Sequence, residues 1–415
     1  MKRIILLLVL LLILTACSSC TSLTAENLMK DFKGTEIDSS LIGNQQQNSA
    51  DKTTEIADFS LAIFKRIQEN ENTLISPLSI ISALSMTANG AEKNTLSQME
   101  EVFGTDIGSL NEYLYSYRVD LPTSDKFKVS IANSIWFKDT KNLIIEEGFL
   151  QTNKDYYNAD VYKAPFDDST KNDINAWVNK KTNEQIKELL REKPPENSVL
   201  YLINALSFDA EWQEIYQDTA IREGEFTNKA GKKKTVDFMD SAEYGYIELP
   251  NAIGFSKPYA DNQYSFVALL PEEGFSVSDF IKSLDGKLLI NAIKNQSDER
   301  IYAFIPKFTF EYSKELSEIL KELGIKDAFD VNLADFSAIG SSEGNLFINR
   351  VIHKTKIEVD EKGTKAGAVT AVELYAGAAA KTEPKIVKLN RPFFFMIVDN
   401  KFHMPIFMGV LNDVK

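Results

Sequence analysis

Glu361-Lys362-Gly363-Thr364-Lys365-Ala366-Gly367-Ala368-Val369-Thr370-Ala371-Val372 follows an apolar, strand-like run from Leu346 to Val359. Its residues are nearly all small, including every alternate position from Thr364 to Thr370. A strand points alternate side chains to opposite faces. Thr364, Ala366, Ala368 and Thr370 therefore share one face, with little bulk to obstruct burial. Such a segment can hang in solvent as a loop or enter a packed sheet as a new strand. Taken alone, the Ala- and Gly-rich stretch also reads as an ordinary flexible linker.

The surrounding chain supplies helices early and strands late, which points to an α+β protein. Ile56, Phe59, Ile63 and Ile67 recur at helical spacing across Thr54–Glu69. Ser76-Pro77 opens a second helix that runs to Asn89-Gly90, with Ser76 as N-cap and Pro77 at the first turn. Ile174, Trp177, Val178, Ile186, Leu189 and Leu190 predict another amphipathic helix, capped by Asp173 and ended by Pro194-Pro195. Val199–Phe208, Tyr264–Leu270, Ile301–Phe310 and Pro392–Val398 read as buried strands.

The 415 residues are 44% hydrophobic, enough for a large core, and the net charge is -14. That charge argues against nucleic acid as a partner. The only dense basic run, Lys232-Lys233-Lys234, reads as a solvated hairpin tip.

The start has the pattern of a targeting segment. Lys2-Arg3 precedes an apolar run from Ile4 to Leu14, too short to span a bilayer comfortably. Leu14-Thr15-Ala16-Cys17 looks like a bacterial lipobox, whose Cys becomes the lipidated N-terminus; the alternative is an ordinary signal peptide cut nearby. Each buried lipid methylene anchors by about 0.8 kcal/mol. The expected organisation is a signal peptide over 1–16, a lipidated flexible tether over 17–52, and one folded domain over 53–415. The only other cysteine is Cys20, so no disulfide framework is expected if Cys17 is acylated.

Catalytic signatures are missing. There are two histidines, His353 and His403, and His353 sits in a strand-like run where a core role is the simpler reading. No nucleophile elbow, zinc-protease, P-loop or dinucleotide motif occurs. With 60 acidic residues a carboxylate-only hydrolase survives counting, but Asp167-Asp168 and Glu146-Glu147 read as solvated surface. No enzyme activity, cofactor or metal is expected.

Motifs spread along the chain resemble the serpin family. They are Asn72-Thr73-Leu74-Ile75-Ser76-Pro77-Leu78-Ser79-Ile80, Asn133-Ser134-Ile135-Trp136, Ile174-Asn175-Ala176-Trp177-Val178, Leu202-Ile203-Asn204-Ala205, Asn390-Arg391-Pro392-Phe393 and Phe407-Met408-Gly409. Together with the small-residue segment they cover about Thr53 to Val410. The resemblance implies three sheets, eight or nine helices and an exposed reactive loop, about 361–389. It also implies suicide inhibition: a serine or papain-like cysteine protease attacks the loop, the cut loop enters the main sheet, and the acyl-enzyme is trapped.

Residue roles follow from the resemblance. Glu361, Gly363, Thr364, Ala366, Ala368 and Thr370 would form the hinge. Ser76, Ser79, Asn204 and His353 would form a polar cluster where the central strands part. Trp212, Lys307 and Glu361 would sit where the loop enters, with Lys307 and Glu361 paired. Counting about sixteen residues on from Glu361 puts the scissile bond at Gly377-Ala378, suited to an elastase-like protease. Counting back from Asn390 puts it at Lys381-Thr382, a trypsin-like bait, and Tyr375 is a third candidate. The turn Asn400–Ile406 lacks the family's usual Thr-Gly, and no basic helix points to glycosaminoglycan activation. The implied protein is a monomeric protease inhibitor, exported and lipid-anchored to the cell envelope. A non-inhibitory binding or carrier protein of the same fold is the alternative.

Overall fold

The computed structural model describes residues 23–35, 49–67, 71–121, 126–364 and 385–414. Ala366, Ala368, Thr370, the bonds proposed at Tyr375, Gly377-Ala378 and Lys381-Thr382, and Cys17 lie outside the described residues.

Nine α-helices and three substantial sheets build the molecule among the described residues. The main sheet has seven strands: β1 (Glu26–Asn27), β2 (Phe127–Lys138), β3 (Asp160–Ala164), β4 (Leu200–Glu211), β5 (Phe308–Glu315), β6 (Arg350–Val359) and β7 (Gly363–Thr364). Their spatial order is β1-β3-β2-β4-β7-β6-β5. A six-stranded sheet packs beneath, centred on Tyr264–Pro271, Phe393–Asp399 and Met404–Leu411, each buried along its whole length. Burial on both faces explains why these strands are continuous apolar runs rather than alternating ones. The third sheet, of four strands, carries Lys385–Lys388 at one edge.

Two helices position the seam between β4 and β6. Pro77–Ala88 is buried throughout and runs under the main sheet; the Ser76 hydroxyl caps it by accepting from Ser79 N at 3.3 Å. On the outer face, Asp168–Lys181 lays Ile174, Trp177 and Val178 over Tyr201, Ile203 and Ile352.

That second helix differs from its sequence reading. Its cap is Asp167, whose Oδ1 accepts from Ser169 N and Thr170 N. It ends at Lys181, because Asn183 and Glu184 adopt positive φ and turn the chain. Ile186 and Leu190 still pack under this layer, tied down where Asn175 bonds the backbone of Leu189 and Leu190 at 2.8 Å. Asp173 is not the cap. Its carboxylate accepts from Thr24 Oγ1 at 2.6 Å and Ala25 N at 2.7 Å.

The flexible tether expected over 17–52 is also corrected in part. Residues 23–35 lie along the body, with β1 paired to β3 and Met29 in the core. The first helix begins at Ser49, ahead of the expected start. The single strand expected over Ile301–Phe310 is two, Ile301–Pro306 in the third sheet and β5 in the main one. Pro306 has no N–H to continue a ladder, and the chain changes sheets at Lys307. Lys232 and Lys233 are exposed at the end of a hairpin, as read from sequence, but Lys234 turns in to pair with Asp413 at 2.7 Å.

Candidate functional site: the seam between β4 and β6

β4 and β6 run parallel and pair directly from Tyr201–Arg350 to Ala205–Lys354. Their ladder stops there. At the upper end β7 stands between them, antiparallel to both, with Gly363 opposite Glu211, Thr364 opposite Ala210, and Thr364 opposite Val359. The seam is zipped below and wedged above by the first residues of the small-residue segment.

The sequence explains why these residues form the wedge. A Cβ on Gly363 would lie 2.0 Å from the Ala210 carbonyl oxygen, so only glycine fits this approach to β4. Thr364 is 2% exposed and faces inward, where its hydroxyl bonds the Tyr259 hydroxyl at 2.6 Å. Tyr259 stacks on Trp212, ring centroids 4.5 Å apart and nearly parallel. Trp212 grips the turn before β7 twice, donating from its indole to Asp360 O at 2.8 Å and from its backbone to Lys362 O at 2.9 Å. Tyr216 N donates to Glu361 O at 2.9 Å, and the Asp360 carboxylate accepts from Lys362 N and Gly363 N.

Lys307 and Glu361 pair at 2.7 Å, each about a third exposed. The Lys307 hydrogen bond holds the Glu361 carboxyl below the usual glutamate range. The expected trio of Trp212, Lys307 and Glu361 is therefore assembled around the base of the segment.

The polar cluster sits lower, under the zipped half. His353 and Asn204 are register partners on β6 and β4. His353 Nε2 accepts from Ser76 N at 3.0 Å, and Asn204 donates to Asn133 on β2. Ser79, His353 and Asn204 are buried, and His353 Nδ1, Asn204 Oδ1 and Ser79 Oγ have no hydrogen-bond partner among the described residues. Burial pushes the His353 imidazole down to about 3, so it is neutral at ordinary pH. Buried polar atoms are almost always paired, so three in one cluster without a described partner are uncommon.

All four expected cluster residues are brought together. Sequence reasoning missed three others. Asn133 stood inside a motif read only as a strand. Thr355, whose hydroxyl donates to Leu74 O at 2.9 Å, gave no signal beyond its place in an apolar run. Tyr259 gave none at all, because its role depends on β7 arriving from a hundred residues away. Among the described residues no group of His, Cys, Asp and Glu could hold a metal ion.

Residues 54–414 match the family model described as serpin (serine protease inhibitor), and residues 1–18 match that of a prokaryotic membrane lipoprotein lipid attachment site. An uncharacterised serpin-like protein of Thermococcus kodakarensis is 30% identical over 369 residues, covering 87% of this chain and 85% of that one. The thermophilic serpin tengpin in its native state is 48% identical, with a TM-score of 0.85, covering 94% of this chain and all of that one. Tengpin in its latent state is 47% identical with a TM-score of 0.77, covering 92% of this chain and all of that one. The wedge, the clamp and the cluster thus lie in a fold whose relatives are known, and the chain belongs to the serpin family.

Proposed function

We propose that this protein inhibits serine, and also papain-like cysteine, proteases by drawing its cleaved loop into the β4–β6 seam. The register of β7 carries the reading. Continued downward from Thr364, opposite Ala210 and Val359, the chain meets both neighbours in step. Six rungs on, Thr370 falls between Asn204 and His353. Nine rungs on, Glu373 falls between Tyr201 and Arg350, the last pair of the present ladder. Thr364, Ala366, Ala368, Thr370 and Val372 then face inward, and the Thr370 hydroxyl arrives where His353 Nδ1 and Asn204 Oδ1 lack partners among the described residues.

The driving force is local and additive. An inserted strand gains backbone hydrogen bonds along both edges, each worth about 0.5–1.5 kcal/mol net. The five direct β4–β6 pairs must open first, and the Asp168–Lys181 layer lying over them must shift. The uncut state is held by these barriers rather than by being lowest in free energy. A relative about half identical that is known in both a native and a latent state supports two packings of one such chain.

The loop bonds at Lys381-Thr382 and Gly377-Ala378, with Tyr375 third, are the proposed baits, so trypsin-like and elastase-like proteases are the expected partners of a monomeric inhibitor. Incubation with trypsin, pancreatic elastase and papain tests this. An SDS-stable adduct with any of them, and a released peptide whose mass places the cut within Leu374–Glu383, is the expected result. Clean cutting in the loop with no loss of protease activity would instead favour a binding or carrier role. The match at residues 1–18 supports acylation of Cys17 and attachment to the cell envelope; Cys17→Ser should then move the protein to the soluble fraction.

A further inference from the structure

Alternation along β4 and β6 gives the seam two faces. Inward lie Leu202, Leu206, Val351 and Ile357, in the main core. Outward lie Tyr201, Ile203 and Ile352, beneath the Asp168–Lys181 helix. A period of two then puts Asp209 on the outer face of β4, and Glu358 and Arg350 on that of β6. The Arg350 guanidinium accordingly lies 6.0 Å from the Tyr201 ring centroid.

The outer rim is charged by position. Thr364 sets the rungs, opposite Ala210 and Val359. One rung lower, Asp209 and Glu358 face each other where β4 and β6 are not paired directly. Nine rungs below Thr364, Tyr201 faces Arg350. The upper rung is acidic on both sides and the lower one is basic on one. Glu358 and Arg350 form no ion pair with a described residue.

Buried polar atoms flank the same rungs. His353 Nδ1 and Asn204 Oδ1 on the inner side, and Ser207 Oγ on the outer, belong to residues 1%, 4% and 2% exposed. None has a hydrogen-bond partner among the described residues, which is uncommon at such burial. The described chain stops at Thr364, already between the two strands, and resumes at Lys385. Of residues 363–373 only Lys365 and Glu373 are charged. Carried on in register, Lys365 falls on the acidic rung and Glu373 on that of Arg350.

We propose that the outer rim of the seam is a charge-coded site for one extended segment, residues 365–373 of this chain, in which Asp209 and Glu358 receive Lys365 and Arg350 receives Glu373. This code rests on the insertion proposed above and fixes its register. A two-residue slip downward would set Lys365 beside Lys356. The opposite slip would set the Glu373 carboxylate between Ile203 and Ile352, both buried. Opposite charges on neighbouring strands stabilise a sheet and like charges destabilise it, so both slips are disfavoured.

Thermal unfolding in detergent at low salt tests the code. The intact chain is compared with the chain cut once within Leu374–Glu383 by a protease that does not cleave after arginine. Each variant is read as the gap between its own cut and intact melting temperatures. Glu373→Arg sets a second guanidinium beside Arg350, and should narrow that gap by a few degrees. Adding Arg350→Glu restores opposite charges in reverse order and should recover most of the loss. Lys365→Glu crowds three carboxylates onto one rung and should also narrow the gap. Raising the salt to about 1 M should shrink these shifts by screening. A wild type with no gap overturns the code together with the insertion beneath it. A wild-type gap that Glu373→Arg and Lys365→Glu leave unchanged overturns the code alone. So does a gap that Arg350→Glu fails to restore to Glu373→Arg.

Discussion

The lower half of the β4–β6 seam is closed by direct pairing of the two strands, whereas its upper half is closed by the β7 wedge and the side chains that clamp it. Below, five direct strand pairs run from Tyr201–Arg350 to Ala205–Lys354, over a cluster with polar atoms that have no partner among the described residues. Above, two residues of β7 are held by Trp212, Tyr216, Tyr259 and one partly exposed ion pair. The upper closure is already in the inserted arrangement; the lower one must be undone to extend it. The zipped half therefore sets the barrier, and the wedged half sets the register in which that barrier is crossed.

The largest expected effect comes from blocking the wedge. Thr364→Arg places a guanidinium at a position that is 2% exposed and packed on Tyr259. An unpaired buried charge costs several kcal/mol, enough to expel β7 from the seam, so the cut loop must re-enter against that cost and insertion slows by about a hundredfold or more. Hydrolysis of the acyl-enzyme then wins, and the protein becomes a substrate. Ala366→Glu should act alike. Stable covalent complexes on denaturing gels from both variants would contradict the proposed inward face.

Next in size is the lower cluster's response to acid. The fold keeps His353 neutral down to about pH 3, while the unfolded chain takes up a proton near 6.5. Between those values the unfolded state binds more protons, so stability is full above pH 6.5 and lost as pH falls. By pH 5 the loss is about 2 kcal/mol. Denaturant unfolding of the wild type and His353→Gln at pH 7 and pH 5 checks this; the variant should lose less. Equal losses would separate His353 from the acid response.

Smaller effects test the upper closure. Tyr259→Phe removes the bond to Thr364 and should loosen β7 by about 0.5–1.5 kcal/mol, seen as faster amide exchange at Gly363 and Thr364 with little change elsewhere. The Lys307–Glu361 pair is partly exposed and worth about 0–1 kcal/mol by itself. Glu361→Lys replaces it with repulsion at the base of the segment and should speed polymerisation on heating. An unchanged polymerisation rate would confine that pair to a surface role.

What the sequence made legible follows the same division. Local signals placed the Ser76 cap, the buried Pro77–Ala88 helix and the fully apolar strands, because each depends on spacing within a dozen residues. The small alternating residues marked Gly363 and Thr364 before any fold was known. Long-range partners were hidden. Asp173 stands just before the apolar run that begins at Ile174, but it lies inside the helix, and its carboxylate serves residues 24 and 25, about 150 positions away. The same docking turned part of an expected tether into a strand, since a polar composition does not reveal a free sheet edge on β3. Ile301–Phe310 was continuous in hydropathy, and only the proline within it marked the change of sheet.

The central claim is that the intact chain lies above its cut form in free energy. A single cut within Leu374–Glu383, followed by thermal unfolding of cut and intact protein side by side, tests it most directly. The account predicts that the cut form melts well above the intact one, with protected amides along the newly inserted strand. Equal melting temperatures, with the severed segment still exchanging freely, would contradict it.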